Sequence, residues 1–400
     1  MRLLFLDAYY NPEKIAFTHL ENDLINGFVE AGHEIDIICP VPTRGVDTEI
    51  IKDYKKQKYE EEHEGKVRVH RFWAPQEGRN PLARAFRYAW CNLRTYQIGK
   101  KYKGTDVIFA NSTPPTQGWL AGKLKKKLNC RFLYSLQDIF PDSLITTGLG
   151  KKNSFIFKIG NKIAQSAYDA ADVIVVISQS FRNNILDKGV PESKIKLVYN
   201  WVDIDEVKPV AKKDNNLFEE LCIDRSIPTV VYAGNFGASQ NGGIIIEAAK
   251  KMQNDKVQFV LFGGGSEYQE IRKQAQDLSN VKCFDLMPLD RVSEVYSLGD
   301  VVLITNALGV GDCGMPSKLW SIMATNTPIV ASIDPKSELA DVIINHANGI
   351  VAKAGDVEAF VQAIREGIGE NRGKESSSAR DFTKRWADRE SAVAKYLECL

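Results

Sequence analysis

The stretch "TVVYAGNFGASQNGG" (Thr229–Gly243) decides the fold. Its apolar opening reads as a buried strand, Gly234 and Gly237 as a turn, and a helix-period segment follows. Strand, glycine turn and helix in that order form the repeating unit of a parallel sheet covered by helices. Glycines in such a turn let the backbone approach a ligand and leave helix N–H groups free. The order recurs at once in "VQFVLFGGGSEYQEI" (Val257–Ile271), with Gly263 and Gly264 in the turn. This is no dinucleotide fingerprint, because Tyr268 stands at the third glycine position after Gly263 and Gly265.

The same pattern extends in both directions. Downstream, "VKCFDLMP", "DVVLITN", "PIVASID" and "GIVAKAG" read as further strands between helices. Upstream of a polar, proline-punctuated stretch (Asn200–Pro228) lie "RLLFLDA", "EIDIICP", "VRVHRFW", "DVIFANS", "RFLYSL", "DVIVVIS" and "IKLVYN". The expected architecture is α/β, with two doubly wound domains of Rossmann type, residues 1–204 and 205–383. A last helical segment, 384–400, has no strand after it and is expected to pack back on the first domain. Ligands of such sheets bind beyond the carboxyl ends of the strands.

Composition narrows the function. The 400 residues are 44% hydrophobic and 26% charged, with a net charge of +1, which does not resemble a nucleic-acid binder. Seven scattered cysteines form no C-x-x-C pair, which suits a reducing cytoplasm. No apolar run approaches the roughly 20 residues that span a bilayer, so any membrane contact is expected to be peripheral. Five histidines show no ligand spacing, and neither a P-loop nor a G-x-S-x-G elbow occurs. Asp203-Ile204-Asp205 imitates a metal-binding D-x-D but lies in the polar linker.

In "MPSKLWSIMATNTPIVAS" (Met315–Ser332), Pro316 reads as a helix start and Lys318 sits just inside it. A cation there opposes the helix dipole at about 0.3–1 kcal/mol unless something compensates. A phosphate bound by the N–H groups of Ser317, Lys318 and Leu319 would supply that compensation. The alternative is a lysine bent into solvent.

Basic residues concentrate between Arg79 and Lys127, eleven against one acid. Within "NPLARAFRYAWCNLRTY", Leu82, Phe86, Trp90 and Leu93 share one helical face and Arg84, Arg87 and Arg94 a neighbouring one. Two readings stay open: a helix lying on an anionic membrane or holding a phosphorylated acceptor, and an ordinary helix burying its apolar face. Asp138, in "SLQDIFPDSL", ends a strand where a cleft-facing carboxylate is expected, and Asp142 suits a helix cap.

Taken together, "LQDIFPDSL", "VYNWVDIDEVKP", "VVYAGNFGASQN", "FVLFGGG" and "MPSKLWSIMATNTPIVAS" make the chain resemble a retaining glycosyltransferase of the GT-B fold, family 4. The branch it resembles builds bacterial O-antigen, capsule or exopolysaccharide, as the fucosamine transferases do. The resemblance implies a nucleotide-sugar donor, usually a UDP-sugar, on the second domain and a lipid-linked saccharide acceptor on the first. It implies no cofactor or metal, and a cytoplasmic enzyme at the inner face of the membrane. It also implies Glu338 near the nucleotide or sugar, with Lys318 and Asp138 as catalytic candidates.

The chain departs from the family at three places. The second glutamate of the E-x7-E motif is replaced by Ser321, and the first falls at Gly314. The usual diphosphate-binding arginine appears as Asn235, and the lysine falls near Gln240 or Asn241. A first-domain glycine loop is replaced by "AYYNPEKIAF". Two other functions fit the same architecture: a UDP-sugar 2-epimerase and a non-catalytic nucleotide-sugar-binding subunit.

Overall fold

The computed structural model describes residues 1–13, 17–76, 80–146, 154–310, 315–347, 349–369 and 377–400. The expected positions Arg79 and Gly314, and the side chain of Leu82, lie outside that set. The chain folds as two compact units, Met1–Val198 with Ala392–Leu400, and Tyr199–Ser391.

The first unit opens with β1 (Arg2–Leu6), α1 (Thr18–Glu30), β2 (Glu34–Pro40), α2 (Thr48–Lys56), β3 (Tyr59–Glu62) and β4 (Val67–Phe72). It continues with α3 (Pro81–Gly99), β5 (Val107–Asn111), α4 (Gln117–Leu128), β6 (Arg131–Leu136) and α5 (Asp142–Thr146). Then come α6 (Phe155–Ala170), β7 (Val173–Val176), α7 (Gln179–Asp187) and β8 (Ile195–Leu197). The strands form one sheet in the order β3-β4-β2-β1-β5-β6-β7-β8. All pairs are parallel except β3 with β4. Central strands such as β5 are buried along their whole length, as expected where helices cover both faces. On one face Leu120, Leu124 and Tyr168 pack on Ile108, Phe132 and Ile174.

The second unit holds α8 (Leu217–Glu220), β9 (Thr229–Asn235), α9 (Gly243–Lys251), β10 (Gln258–Gly264), α10 (Tyr268–Ala275), β11 (Val281–Asp285) and α11 (Val292–Ser297). It goes on through β12 (Val301–Thr305), α12 (Lys318–Ala324), β13 (Ile329–Ile333), α13 (Glu338–His346), β14 (Ile350–Lys353) and α14 (Val357–Gly367). Two further helices follow, α15 (Ser377–Trp386) and α16 (Arg389–Leu397). Six parallel strands run in the order β11-β10-β9-β12-β13-β14, the expected doubly wound pattern. Leu319, Trp320 and Met323 of α12 fill one core of this unit; Ile245, Phe360 and Ile364 fill the other.

Two boundaries differ from expectation. The division falls after Val198 rather than at 204, because Val202 and Ile204 belong to the second core and Val202 bridges Asp388. The terminal segment is not one helix returning to the first unit. Ala379 and Ala387 are buried in the second core, and Arg380 donates to the carbonyls of Ile204, Val207 and Ala324 at 2.7, 2.9 and 2.6 Å. Only Ala392–Leu400 joins the first unit, where Tyr396 Oη meets Ser135 Oγ at 2.9 Å and Arg131 donates to the Leu400 carbonyl. The missed strand is β3, whose "YEEE" has no apolar face to betray it.

Candidate functional site

In the second unit the carboxyl ends of β9 and β10 are tied together, Phe236 N–H donating to the Gly264 carbonyl at 2.7 Å. The loop after β9 is also stitched to β12, where Thr305 Oγ1 donates to the Gln240 carbonyl at 2.6 Å. Gly234, next to last in β9, has φ +145°, and an ideal Cβ there would lie 3.5 Å from Lys318 Nζ. A side chain at 234 would be strained and would crowd the amine. Gly265, which the sequence reading weighed only against a dinucleotide fingerprint, has φ +110° and lies against the Asn235 carboxamide. Gly237 also borders Asn235, whose Nδ2 donates to Gln240 Oε1 at 3.0 Å. Two neutral carboxamides therefore pair where the family's arginine and lysine are expected. Gly263 does not face this loop freely; it packs under the Phe236 and Tyr268 rings. Gly264 borders Leu286.

Lys318 is the notable cation of this unit. Its stem is half-exposed, yet Nζ turns inward, has no hydrogen-bond partner among the described residues and lies 4.1 Å from the centre of the Tyr232 ring. The Tyr232 hydroxyl in turn donates to the Asn235 carbonyl at 2.8 Å. Burial pushes the Lys318 amine down to about 7. The charged form loses water without gaining a carboxylate.

The start of α12 departs from expectation. The helix begins at Lys318 rather than Pro316, and Ser317 is exposed and makes no side-chain cap bond. The Leu319 N–H is not free, because it donates to the Pro316 carbonyl at 3.0 Å. The turn thus presents a buried amine rather than free helix N–H groups. One turn on, Ser321 is half-buried, beside Trp320, which packs on Tyr199 at 5.1 Å. Tyr199 Oη donates to Glu338 Oε1 at 3.0 Å, so that carboxylate is anchored within the second unit.

In the first unit Asp138 follows β6 and its N–H donates to Ser112 Oγ at 2.8 Å. Ser143 donates to Asp138 Oδ2 at 3.1 Å, and burial raises the carboxyl above its ordinary range. Asp142 ties α5 to α7, accepting from Lys188 Nζ at 2.6 Å and Asn184 Nδ2 at 3.0 Å. Asp203 of the D-x-D accepts from the N–H groups of Asp205 and Glu206 and pairs with Arg389 at 2.5 Å. Those bonds make it a local turn former.

A buried carboxyl pair at the end of β1 escaped the sequence reading. Asp7 and Glu21 face each other, both held above the ordinary range, Asp7 at about 7, by desolvation. The signal was present in "LFLDAYY", an acid closing an all-apolar strand.

The basic face of α3 is corrected in part. Arg87 is 1% exposed and donates to the Pro75 carbonyl, and Glu13 is among the charges acting near it. Trp90 is half-buried and donates through Nε1 to the Trp73 carbonyl at 2.9 Å. Arg84 is exposed, and Arg94 is half-buried, donating to Gln97 Oε1 at 2.9 Å. Arg87 and Trp90 therefore hold the chain before α3 rather than facing a surface ligand. Among the described residues no helix is long and apolar enough to cross a membrane.

Two doubly wound units, each a mainly parallel sheet with helices on both faces, define the class of fold. Residues 22–206 match the model for Glycosyltransferase Family 4, and residues 227–369 match Glycosyl transferases group 1. The chain belongs to the family 4 glycosyltransferases and has the GT-B fold. It is 25% identical to the putative colanic acid biosynthesis glycosyl transferase WcaI of Escherichia coli, over 99% of each chain. It is also 25% identical to the probable glycosyltransferase WbjE of Pseudomonas aeruginosa, over 68% of this chain and 69% of the relative. Sucrose-phosphate synthase of Thermosynechococcus elongatus shares the fold at a TM-score of 0.75 and 15% identity, covering 100% of this chain and 98% of that one. Anabaena HepE in complex with UDP-glucose does so at 0.69 and 17%, with all of both chains covered.

Proposed function

We propose that this glycosyltransferase moves a sugar from a UDP-sugar to a lipid-linked saccharide in bacterial surface polysaccharide synthesis, with retention at the anomeric carbon. The observation behind the reading is the inward, unpartnered Lys318 Nζ beside Gly234 and Tyr232. The name of the Escherichia coli relative supports the polysaccharide setting, and the UDP-glucose bound to HepE supports the donor class.

In this reaction the bond between the anomeric carbon and the diphosphate oxygen breaks. An acceptor hydroxyl bonds to the same face of that carbon and passes its proton to the departing phosphate. Lys318 offsets the charge gathering on the leaving group, as preorganised cations do at such sites. The backbone around Gly234, Gly237 and Gly264 lets the diphosphate approach, and Pro316, Ser317 and Ser321 border it, while Leu319 anchors the turn in the core. Glu338 meets the nucleotide or sugar, and Asp138 orients the sugar or the nucleophile. No step calls for a metal.

Incubation with a labelled UDP-sugar and membrane lipid extract is the test. Label in the lipid phase supports transfer. Free isomerised nucleotide sugar indicates the epimerase, and binding without turnover indicates a non-catalytic subunit.

A further inference from the structure

Helix α6 of the first unit carries a stripe that its neighbours leave open. On one side α4 lies so close that a Cβ at Gly118 or Gly122 would meet Ala167 or Ala170. On another, Phe157, Asn161, Gln165 and Tyr168 recur at helical spacing and line a pocket of about 560 Å³. Asp142 at the start of α5 and Lys188 just past α7 help to complete the lining. That volume falls in the range of small-molecule sites, roughly 300–1,000 Å³.

Several polar groups in this pocket are unmet. Tyr168 is 2% exposed, yet no group among the described residues takes a hydrogen bond from its hydroxyl. Burial, and then the charges of Asp142 and Asp138, hold that phenol above its ordinary range, so it stays a neutral donor. The Asn161 carboxamide has no partner among the described residues either. Gln165 donates through Nε2 to Asp169 Oδ1 at 2.9 Å, which leaves Oε1 as a bare acceptor. Lys188 is neutralised by Asp142 at 2.6 Å, whereas Lys162 pairs with no acid among the described residues. The lining thus carries one uncompensated positive charge.

We infer that this pocket is an auxiliary saccharide site on the first unit, and that it takes a sugar bearing one carboxylate, a uronate unit of a polysaccharide. Each part of the lining selects that chemistry. Lys162 answers the carboxylate. Asn161 and Gln165 Oε1 need hydrogen-bond donors, which sugar hydroxyls supply and a bare inorganic anion lacks. Phe157 and Ala164 offer apolar surface to the C–H face of the sugar ring. The site goes beyond the transfer reaction proposed above and does not depend on its donor.

The test is a ligand-observed NMR titration of the full chain with cellobiouronic acid, and with cellobiose as its uncharged match. The uronate disaccharide should bind about three- to five-fold more tightly, the scale of one exposed ion pair. Lys162→Ala should erase that preference and keep the binding of cellobiose. Tyr168→Phe should weaken both sugars about five-fold, the scale of one hydrogen bond, with an unchanged melting temperature. No binding of either sugar overturns the site, as does equal affinity for the two. Binding that neither variant changes overturns it too, because the sugar then sits elsewhere. Displacement of the uronate by an equal concentration of inorganic phosphate reveals an anion site and also overturns it. A parallel titration with UDP keeps this site apart from the donor reading, and both variants should bind UDP as the wild type does. UDP binding with no sugar binding sinks the pocket alone. Sugar binding that depends on Lys162 and Tyr168, with no UDP binding, sinks the donor reading and leaves the pocket standing.

Discussion

Lys318 Nζ lies over the face of Tyr232, 4.1 Å from its ring centre, with no carboxylate acting on it among the described residues. A basic group held by an aromatic ring rather than an ion pair remains available to an incoming anion. Replacing it should therefore affect binding more than folding. Lys318→Gln is expected to weaken UDP binding about ten- to a hundred-fold, the range of one charge-assisted contact. Calorimetric titration with UDP beside a thermal melt checks this, and unchanged affinity removes Lys318 from the site.

The same burial sets a pH dependence. With its amine lowered to about 7, Lys318 is neutral in the free protein at pH 8 and above. Binding a diphosphate then requires uptake of a proton. UDP itself keeps constant charge there, because a phosphate's second ionisation lies near 6. Affinity should fall about ten-fold between pH 8 and 9 and stay flat in Lys318→Gln. A wild-type affinity that does not change over that interval contradicts the assignment.

Asp7 predicts a second pH effect, of opposite origin. Its carboxyl is raised to about 7 by burial, whereas the unfolded chain ionises near 4. The folded state thus binds the extra proton, and stability should decline as pH rises above about 4, with the raised Glu21 carboxyl of the same pair adding to the fall. Asp7→Asn should shallow that slope, because the Glu21 carboxyl then ionises without a like charge beside it, and should stabilise the protein at pH 8. Urea unfolding at pH 5 and pH 8 measures it. A variant less stable than wild type at pH 8 refutes the account.

Arg380 joins α15 to the linker and to the end of α12 through three backbone carbonyls. Arg380→Ala leaves those acceptors unmet and should destabilise the protein by about 2–4 kcal/mol. A shift below about 0.5 kcal/mol, the scale of a neutral surface change, would show the contacts to be incidental.

Much of the fold was legible because buried parallel strands are continuous apolar runs, as in "VVLIT" and "VIFAN". Strand β3 was hidden because an exposed antiparallel edge made of glutamates has the composition of a loop. At the site, the sequence singled out Gly234 as a turn and Lys318 as a cation, each by itself, and took the helix dipole for the reason behind the lysine. Only coordinates reveal that the Leu319 N–H is taken up by Pro316 and that the amine faces a ring. Arg87 shows the limit of a helical wheel. The wheel gives an angle but not what lies opposite, and here the Pro75 carbonyl lies there. The Asp7–Glu21 pair joins residues on different elements, a proximity that no local pattern records.

The return of Ala392–Leu400 to the first unit has a consequence for how the chain is made. Gly27 is packed by Val393, and Ser135 bonds to Tyr396, so side chains deep in the N-terminal half await partners translated long afterwards. Domains ordinarily settle in the order of synthesis. Here the first unit lacks part of its core until the last helix has been made and released, and a protease nick between α15 and α16 would wound the half that was made first.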